Sequence, residues 1–165
     1  MAWYNVIHTC GHDERVQLYG AGKERNRRIE YMEQGLCIDC YRAQQRERAE
    51  QQTAGLDIPT LTGTDKQLGW ATTLRAERLK QIAEWRSYLA SHAQTDTPDP
   101  ARNAHNQALL DTILAILRRI EQEPSAHRWI GHRQDSLREI VREVATVAET
   151  TIISDAILQH LQGGG

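Results

Sequence analysis

The sequence predicts a small α+β module followed by an all-α antiparallel three-helix bundle. All three cysteines lie within the first forty residues, among short strand-like segments. A stretch with one proline and two glycines, residues 53–63, follows and is typical of a linker. From there on, helical periodicity dominates. We therefore predict a module at 1–52, a linker at 53–63 and a helical bundle at 64–162.

Composition limits the classes of function. The chain has 165 residues and a net charge of -2, so no overall positive charge favours nucleic acid. It contains no apolar run long enough to cross a membrane and does not begin like a secretory signal. Three cysteines, two of them in a C-x-x-C, favour metal over disulfides in such a chain. We expect a cytoplasmic protein.

The first module begins with a predicted β-hairpin. Trp3 to Ile7 and Val16 to Tyr19 are rich in strand-forming residues, and a Gly-containing turn lies between them. Residues 23–34 are predicted to be helical and to end at Gly35, which is typical of a helix C-terminus. A second helix is predicted from Cys37 to about Gln52.

The second module begins with a helix signalled by its cap. Thr64 followed by Gln67 fits a capping box, and the helix is expected to reach about His92. Asp99 with Pro100 should start the next helix, which carries the clearest apolar stripe of the chain.

The C-terminal part is predicted to hold one turn and one helix. A single helical turn from Ser125 to Ile130 should dock Trp129 into the bundle. The last helix is predicted to begin near Asp135 and to run through the β-branched stretch at 146–153.

Three cysteines carry the clearest chemical signal. Cys37 and Cys40 form a C-x-x-C, whose two thiolates can reach one tetrahedral ion from a single turn. Cys10 precedes a glycine, and a sharp turn there would expose amides to its sulfur. We predict one structural Zn²⁺ per chain, held by Cys10, Cys37 and Cys40 in a zinc-ribbon or treble-clef-like module.

Two histidines compete to be the fourth ligand. His8 and Cys10 would lie on one face of a strand, and the turn at Gly11 would place a partner ligand just before Cys10. These arguments favour His8. His12 has the same spacing from Cys10 and is the alternative.

Other interpretations of the cysteines are weaker. A redox C-x-x-C would need a βαβ context, and none is visible. A catalytic zinc would need an open position and a neighbouring base, but no H-x-E or H-E-x-x-H pattern occurs. Small buried thiols remain a third interpretation. We expect that the protein is not an enzyme.

The arrangement resembles a group of bacterial, phage and plasmid proteins with a zinc-ribbon-like N-terminus. The motifs shared in the first module are Cys10-Gly11-His12, Leu18-Tyr19-Gly20, Glu24-Arg25 and Cys37-Ile38-Asp39-Cys40-Tyr41. The second module shares the segment from Leu61 to Ala71 and the segment Trp129-Ile130-Gly131-His132-Arg133, which departs from the group in its middle. The resemblance implies a bacterial or mobile-element origin, and it implies no activity.

Two further clusters are candidate contact sites. Lys23, Arg25, Arg27 and Arg28 form the only basic cluster, which is either a solvated helix face or a strip that contacts phosphate. Lys66, Gln67 and Trp70 are possible partner contacts, although a tryptophan at this position is expected in the core unless it is a binding hot spot.

These observations predict a zinc-binding adaptor or accessory protein that acts by binding an unidentified protein or nucleic-acid partner. The alternative is a protein that binds nucleic acid directly through the zinc ribbon and the strip from Lys23 to Arg28.

Overall fold

The computed structural model describes residues 1–92 and 97–153. The chain divides into two compact units, Met1–Arg48 and a second unit that starts at Ala49. The predicted boundary was the segment 53–63, so the structure places the division earlier. It falls inside a helix, and the predicted linker belongs to the second unit.

The first unit opens with the predicted hairpin. Strand β1, Ala2–Ile7, pairs antiparallel with β2, Asp13–Leu18, and Tyr4 lies opposite Val16. Alternation along β1 buries Val6 completely, while its two neighbours are exposed. This two-stranded antiparallel sheet confirms the predicted hairpin, although β2 begins earlier than the predicted strand.

Two helices complete this unit in the described residues. They are α1, Gly22–Glu33, and α2, Ile38–Thr53, close to the predicted ranges. The amide of Gly35 donates to the Met32 carbonyl at 3.1 Å and ends α1. Only three residues separate the C-terminal end of α1 from Cys37. The C-x-x-C therefore follows α1 closely and begins α2.

The predicted linker is fixed to the helical unit. The amide of Thr62 donates to the Pro124 carbonyl at 2.8 Å, and the amide of Ala126 donates back to the Thr62 carbonyl at 2.9 Å. The Asp57 carbonyl accepts a hydrogen bond from Gln122, and the Asp57 carboxylate pairs with Arg118. Proline and glycine correctly predicted an irregular backbone. The segment is nevertheless part of the second unit, because its backbone hydrogen bonds are made within that unit.

The described part of the second unit contains, after α2, the helices α3, Asp65–His92; α4, Pro100–Glu121; α5, Ala126–Gly131; α6, Leu137–Val144; and α7, Val147–Ile152. The two predicted helix starts are confirmed. Gln67 Oε1 accepts from the Thr64 amide at 3.0 Å, and Asp99 Oδ1 accepts from the Ala101 amide at 2.9 Å.

The prediction of a single last helix is wrong, because this part of the chain forms two helices, α6 and α7. Ala145 is extended, with φ -66° and ψ 138°, and ends α6. Thr146 then caps a new helix, because its hydroxyl accepts from the Glu149 amide while the Glu149 carboxylate accepts from the Thr146 amide. This capping box satisfies the free amides of a helix start and favours a break there. The predicted end of the bundle at residue 162 lies outside the described residues.

The core of the second unit is formed mainly by apolar residues of α3, α4, α5 and α6. Its most deeply buried members are Ala71, Ile82, Ile113, Ile116, Leu117, Ala126 and Val141. Trp129 is 5% exposed, and its indole N–H donates to the Glu123 carbonyl at 3.0 Å, so the predicted docking of this ring is confirmed. The unit is helical, but its short α5, α6 and α7 differ from a three-helix bundle. Among the described residues, no helix is long and apolar enough to span a membrane.

Candidate metal centre

A tight loop between the two strands positions the first pair of ligands. The amide of His8 donates to the His12 carbonyl, and the amide of Gly11 donates to the His8 carbonyl, both at 2.9 Å. Gly11 has φ +78°, in the left-handed region that glycine adopts without steric cost. This turn brings the side chains of Cys10 and His12 to the same site.

The second pair of ligands comes from the start of α2. Cys37 immediately precedes the helix, and Cys40 lies in its first turn. The amide of Cys40 lies 3.5 Å from Cys37 Sγ, and the amide of Cys37 lies 3.4 Å from Cys10 Sγ. Amides aimed at sulfur, together with the positive end of a helix, stabilise thiolate charge.

The four side chains form one compact cluster. Cys10, His12, Cys37 and Cys40 each offer a ligand atom, and these atoms all lie within 4.8 Å of one another. Nδ1 of His12 lies 3.6 Å from Cys37 Sγ and 3.3 Å from Cys40 Sγ. Nitrogen and sulfur ligands of one tetrahedral zinc-sized ion are separated by roughly 3.5 Å. The cluster could therefore hold a single metal ion.

His8 does not belong to this cluster, so the preference for His8 over His12 is wrong. The residue is 6% exposed, with Nδ1 at 3.0 Å from the Met32 carbonyl and Nε2 at 3.3 Å from Glu14 Oε2. His8 and Cys10 do not share a strand face, because β1 ends at Ile7 and the chain turns before Cys10. His8 continues the inward face of Val6, while the turn directs His12 to the cysteines.

The contacts of His8 connect three elements of the first unit. A carbonyl can only accept, so Nδ1 carries the proton donated to Met32. The ring thereby joins the end of β1 to the end of α1, and its other nitrogen faces Glu14 of β2. Apart from the alternation along β1, no sequence pattern indicated that His8 supports the loop that carries Cys10 and His12.

The thiols differ in their acidity because of their hydrogen bonds. Donation from the Cys37 amide, and then from the His12 amide, lowers the pKa of Cys10 to about 6. The hydrogen bond with the Cys37 side chain, followed by desolvation, raises the pKa of Cys40 to about 11. One thiolate therefore forms easily in the cluster, whereas Cys40 would release its proton only if a metal cation displaced it.

The basic cluster of α1 is divided by the structure. Arg25 is half-buried, and its Nε donates to the Tyr4 hydroxyl at 2.9 Å while its Nη1 donates to the Gly20 carbonyl at 2.6 Å. Arg25 therefore has a structural role in joining α1 to the hairpin. Lys23, Arg27 and Arg28 are exposed.

The predicted contact cluster in the helical unit is also divided. Gln67 serves the capping box of α3, whereas Lys66 is exposed. Trp70 is 50% exposed, so the expectation that it is a core residue is wrong. The Arg133 guanidinium lies 5.8 Å from the centre of its ring, within cation–π range. The two motifs quoted from this unit thus meet at Trp70 and Arg133.

Comparison with known proteins adds no relative to this description. No family model matches the sequence, and no curated protein and no solved structure is detectably similar to the chain. The inference of function therefore rests on the geometry of the site.

Proposed function

We propose that the cluster binds one structural zinc ion and that the protein is an adaptor or accessory protein, which acts by binding a protein or nucleic-acid partner. The observation that carries the metal assignment is the proximity of the four ligand atoms of Cys10, His12, Cys37 and Cys40. Thiolate and imidazole ligands suit zinc, and hard cations such as Mg²⁺ and Ca²⁺ prefer oxygen.

The ligand count supports a structural rather than a catalytic ion. Three sulfurs and one nitrogen fill the four positions of tetrahedral zinc and leave none for an activated water. Three thiolates also give the centre negative charge, so the ion would be a poor Lewis acid. An X-ray absorption spectrum of the purified protein should fit three sulfurs and one nitrogen. A coordinated water would contradict the closed site.

The zinc assignment is tested by metal analysis of the purified protein. We expect one zinc per chain, and loss of it when Cys37 or Cys40 is replaced by serine. A matched control is Ser91→Cys followed by the same analysis, because an added thiol outside the cluster should leave the stoichiometry unchanged. Less than about half an equivalent, without uptake on refolding in zinc, would contradict the assignment.

Exposed residues of the helical unit support the adaptor role. Trp70 is half exposed beside Arg133, and tryptophan and arginine are the residues most enriched at the energetic centres of protein interfaces. Capture of partners from a lysate of the native host, with Trp70→Ala as the comparison, tests this role. We also propose a cytoplasmic location and, from the resemblance alone, a bacterial or mobile-element origin.

Direct nucleic-acid binding is the second candidate, because Lys23, Arg27 and Arg28 are exposed on one helix. An electrophoretic titration against DNA and RNA at two salt concentrations separates the two roles. Phosphate contacts release counterions, so direct binding must weaken as salt rises, and reversing the charge of Arg27 and Arg28 must weaken it further.

A further inference from the structure

Two of the candidate metal ligands are placed so that their sulfurs could also bond to each other. Cys37 precedes α2, Cys40 lies in its first turn, and the amide of Tyr41 donates a helical hydrogen bond to the Cys37 carbonyl at 2.9 Å. Residues three apart in such a turn have Cα atoms about 5 Å apart. A disulfide requires a Cα separation of roughly 4.4–6.8 Å. The start of α2 therefore suits a disulfide as well as a pair of zinc ligands.

Cys10 is the less suitable partner for either of these sulfurs. The ligand atoms of the cluster all lie within 4.8 Å of one another, so Cys10 is near both in the folded module. It comes from the loop after β1, however, and lies 27 positions from Cys37 in the sequence. Closing a loop of that length costs more chain entropy than joining two residues of one turn. The C-x-x-C is therefore the pair that we expect to form a disulfide.

The cluster is open to oxidants dissolved in water. Cys10 and Cys40 are half-buried, and His12 is exposed. The contacts of the His12 ring with the two sulfurs of the C-x-x-C lie at the protein surface. Peroxides react with thiolates rather than thiols, and a bound zinc ion keeps its cysteine ligands deprotonated. A small peroxide could therefore reach a sulfur that is already in its reactive form.

Loss of two thiolates would remove the ion and, with it, the support of the first module. Cys10 and His12 alone would leave two of the four tetrahedral positions without a protein ligand. Val6 and Leu18 are the buried apolar residues among Met1–Arg48, a core too small to hold the module without metal. The helical unit has its own apolar core. The structural effect of oxidation should therefore be confined to the first module.

We propose that Cys37 and Cys40 form a reversible redox switch, in which a peroxide joins their sulfurs in a disulfide and the first module loses its zinc ion and opens. This inference rests on the proposed zinc site and adds a means of regulating it. The disulfide is a modification of the metal ligands themselves, so it does not need the βαβ context of a thiol oxidoreductase.

The chemistry consists of two displacements at sulfur. One thiolate of the pair attacks hydrogen peroxide, the O–O bond breaks, and the sulfur becomes a sulfenic acid while hydroxide leaves. The other thiolate attacks that sulfur, the S–S bond forms, and a second hydroxide leaves. Two thiolates, one hydrogen peroxide and two protons thus give one disulfide and two waters, and the two electrons lost by the sulfurs go to the peroxide. A dithiol reverses the oxidation by exchange.

The test uses full-length protein, with its zinc content measured first, and adds hydrogen peroxide in the presence of a chromophoric zinc chelator. A sample without peroxide gives the background. We expect release of one zinc per chain, and alkylation in denaturant should then find one free thiol instead of the three of the reduced chain. Peptide mapping without reduction should find Cys37 linked to Cys40. Dithiothreitol followed by zinc should restore the three thiols and the metal content.

Two variants separate this switch from other oxidations. Methionine also reacts with peroxide, and Met32 lies near the cluster through the contact of its carbonyl with His8. Met32→Leu should release zinc at the same rate as the parent protein, and slower release would assign the loss of zinc to methionine instead. Cys10→Ser should still form the Cys37–Cys40 disulfide, and its mass reports this whether or not the variant binds zinc or folds.

The remaining outcomes distinguish this inference from the metal assignment. Protein that contains no zinc before oxidation would overturn both together. Zinc that stays bound in excess peroxide, or sulfinic acid in place of a disulfide, would overturn the switch and leave the zinc site standing. A disulfide that includes Cys10, or one that joins two chains, would overturn the assignment of the switch to Cys37 and Cys40.

Discussion

The backbone amide of Cys37 lies 3.4 Å from the sulfur of Cys10, which joins the two halves of the ligand set across 27 positions of the sequence. The same hydrogen bond is the largest cause of the lowered pKa of Cys10. The loop after β1 and the start of α2 therefore meet at this hydrogen bond. A metal ion at this site would join the same two segments.

The identity of the fourth ligand leads to the first prediction. We expect His12→Ala to lower zinc affinity by at least about ten-fold more than His8→Ala, because only His12 lies with the thiols. Competition with a chromophoric chelator measures both affinities. The opposite order would restore His8 as the ligand and would require a different arrangement of the loop.

His8 should instead contribute to the stability of the fold. His8→Ala removes a buried ring with contacts to Met32 and Glu14, and we expect it to lower the free energy of unfolding by about 2 kcal/mol in zinc-saturated protein. Chemical denaturation followed by circular dichroism measures the change. His127→Ala is the matched control at an exposed position and should cost less than about 0.5 kcal/mol. Equal effects of the two variants would contradict a supporting role for His8.

Zinc affinity should rise with pH between about 7 and 9. The raised pKa of Cys40, about 11, means that this thiol is protonated throughout that range and must release its proton when zinc binds. Cys10, with a pKa of about 6, is already a thiolate there, so it adds to the pH dependence only at lower pH. Calorimetric titration in two buffers of different ionisation enthalpy counts the released protons. An affinity independent of pH over this range would contradict the assignment to Cys40.

The first module should require zinc to fold. Val6 and Leu18 are the buried apolar residues among Met1–Arg48, and so small a core cannot offset the conformational entropy of the chain. A fragment of residues 1–52 should be largely unfolded without metal and should fold on addition of one equivalent of zinc. Amide NMR signals provide the readout. Well-dispersed signals from the metal-free fragment would show that burial and hydrogen bonds suffice.

Local patterns were enough to predict most elements of this protein. Strand-forming residues on both sides of a glycine turn gave the hairpin, and the side-chain caps at Thr64 and Asp99 gave the starts of two helices. The proximity of Cys37 and Cys40 followed from spacing, because a C-x-x-C brings two sulfurs together within one turn. Each of these features depends on residues that are close in the sequence, or on residue types with a strong chemical preference.

Long-range contacts decided what the sequence left open. His8 and His12 have equal spacing from Cys10, and the choice between them depends on where β1 ends and on a hydrogen bond from His8 to Met32, 24 positions away. The segment 53–63 looked like a linker because its partner, the backbone around Pro124, is distant in the sequence. Side-chain type fixes what a residue can bind, whereas the packing of distant segments fixes which of its possible partners it meets.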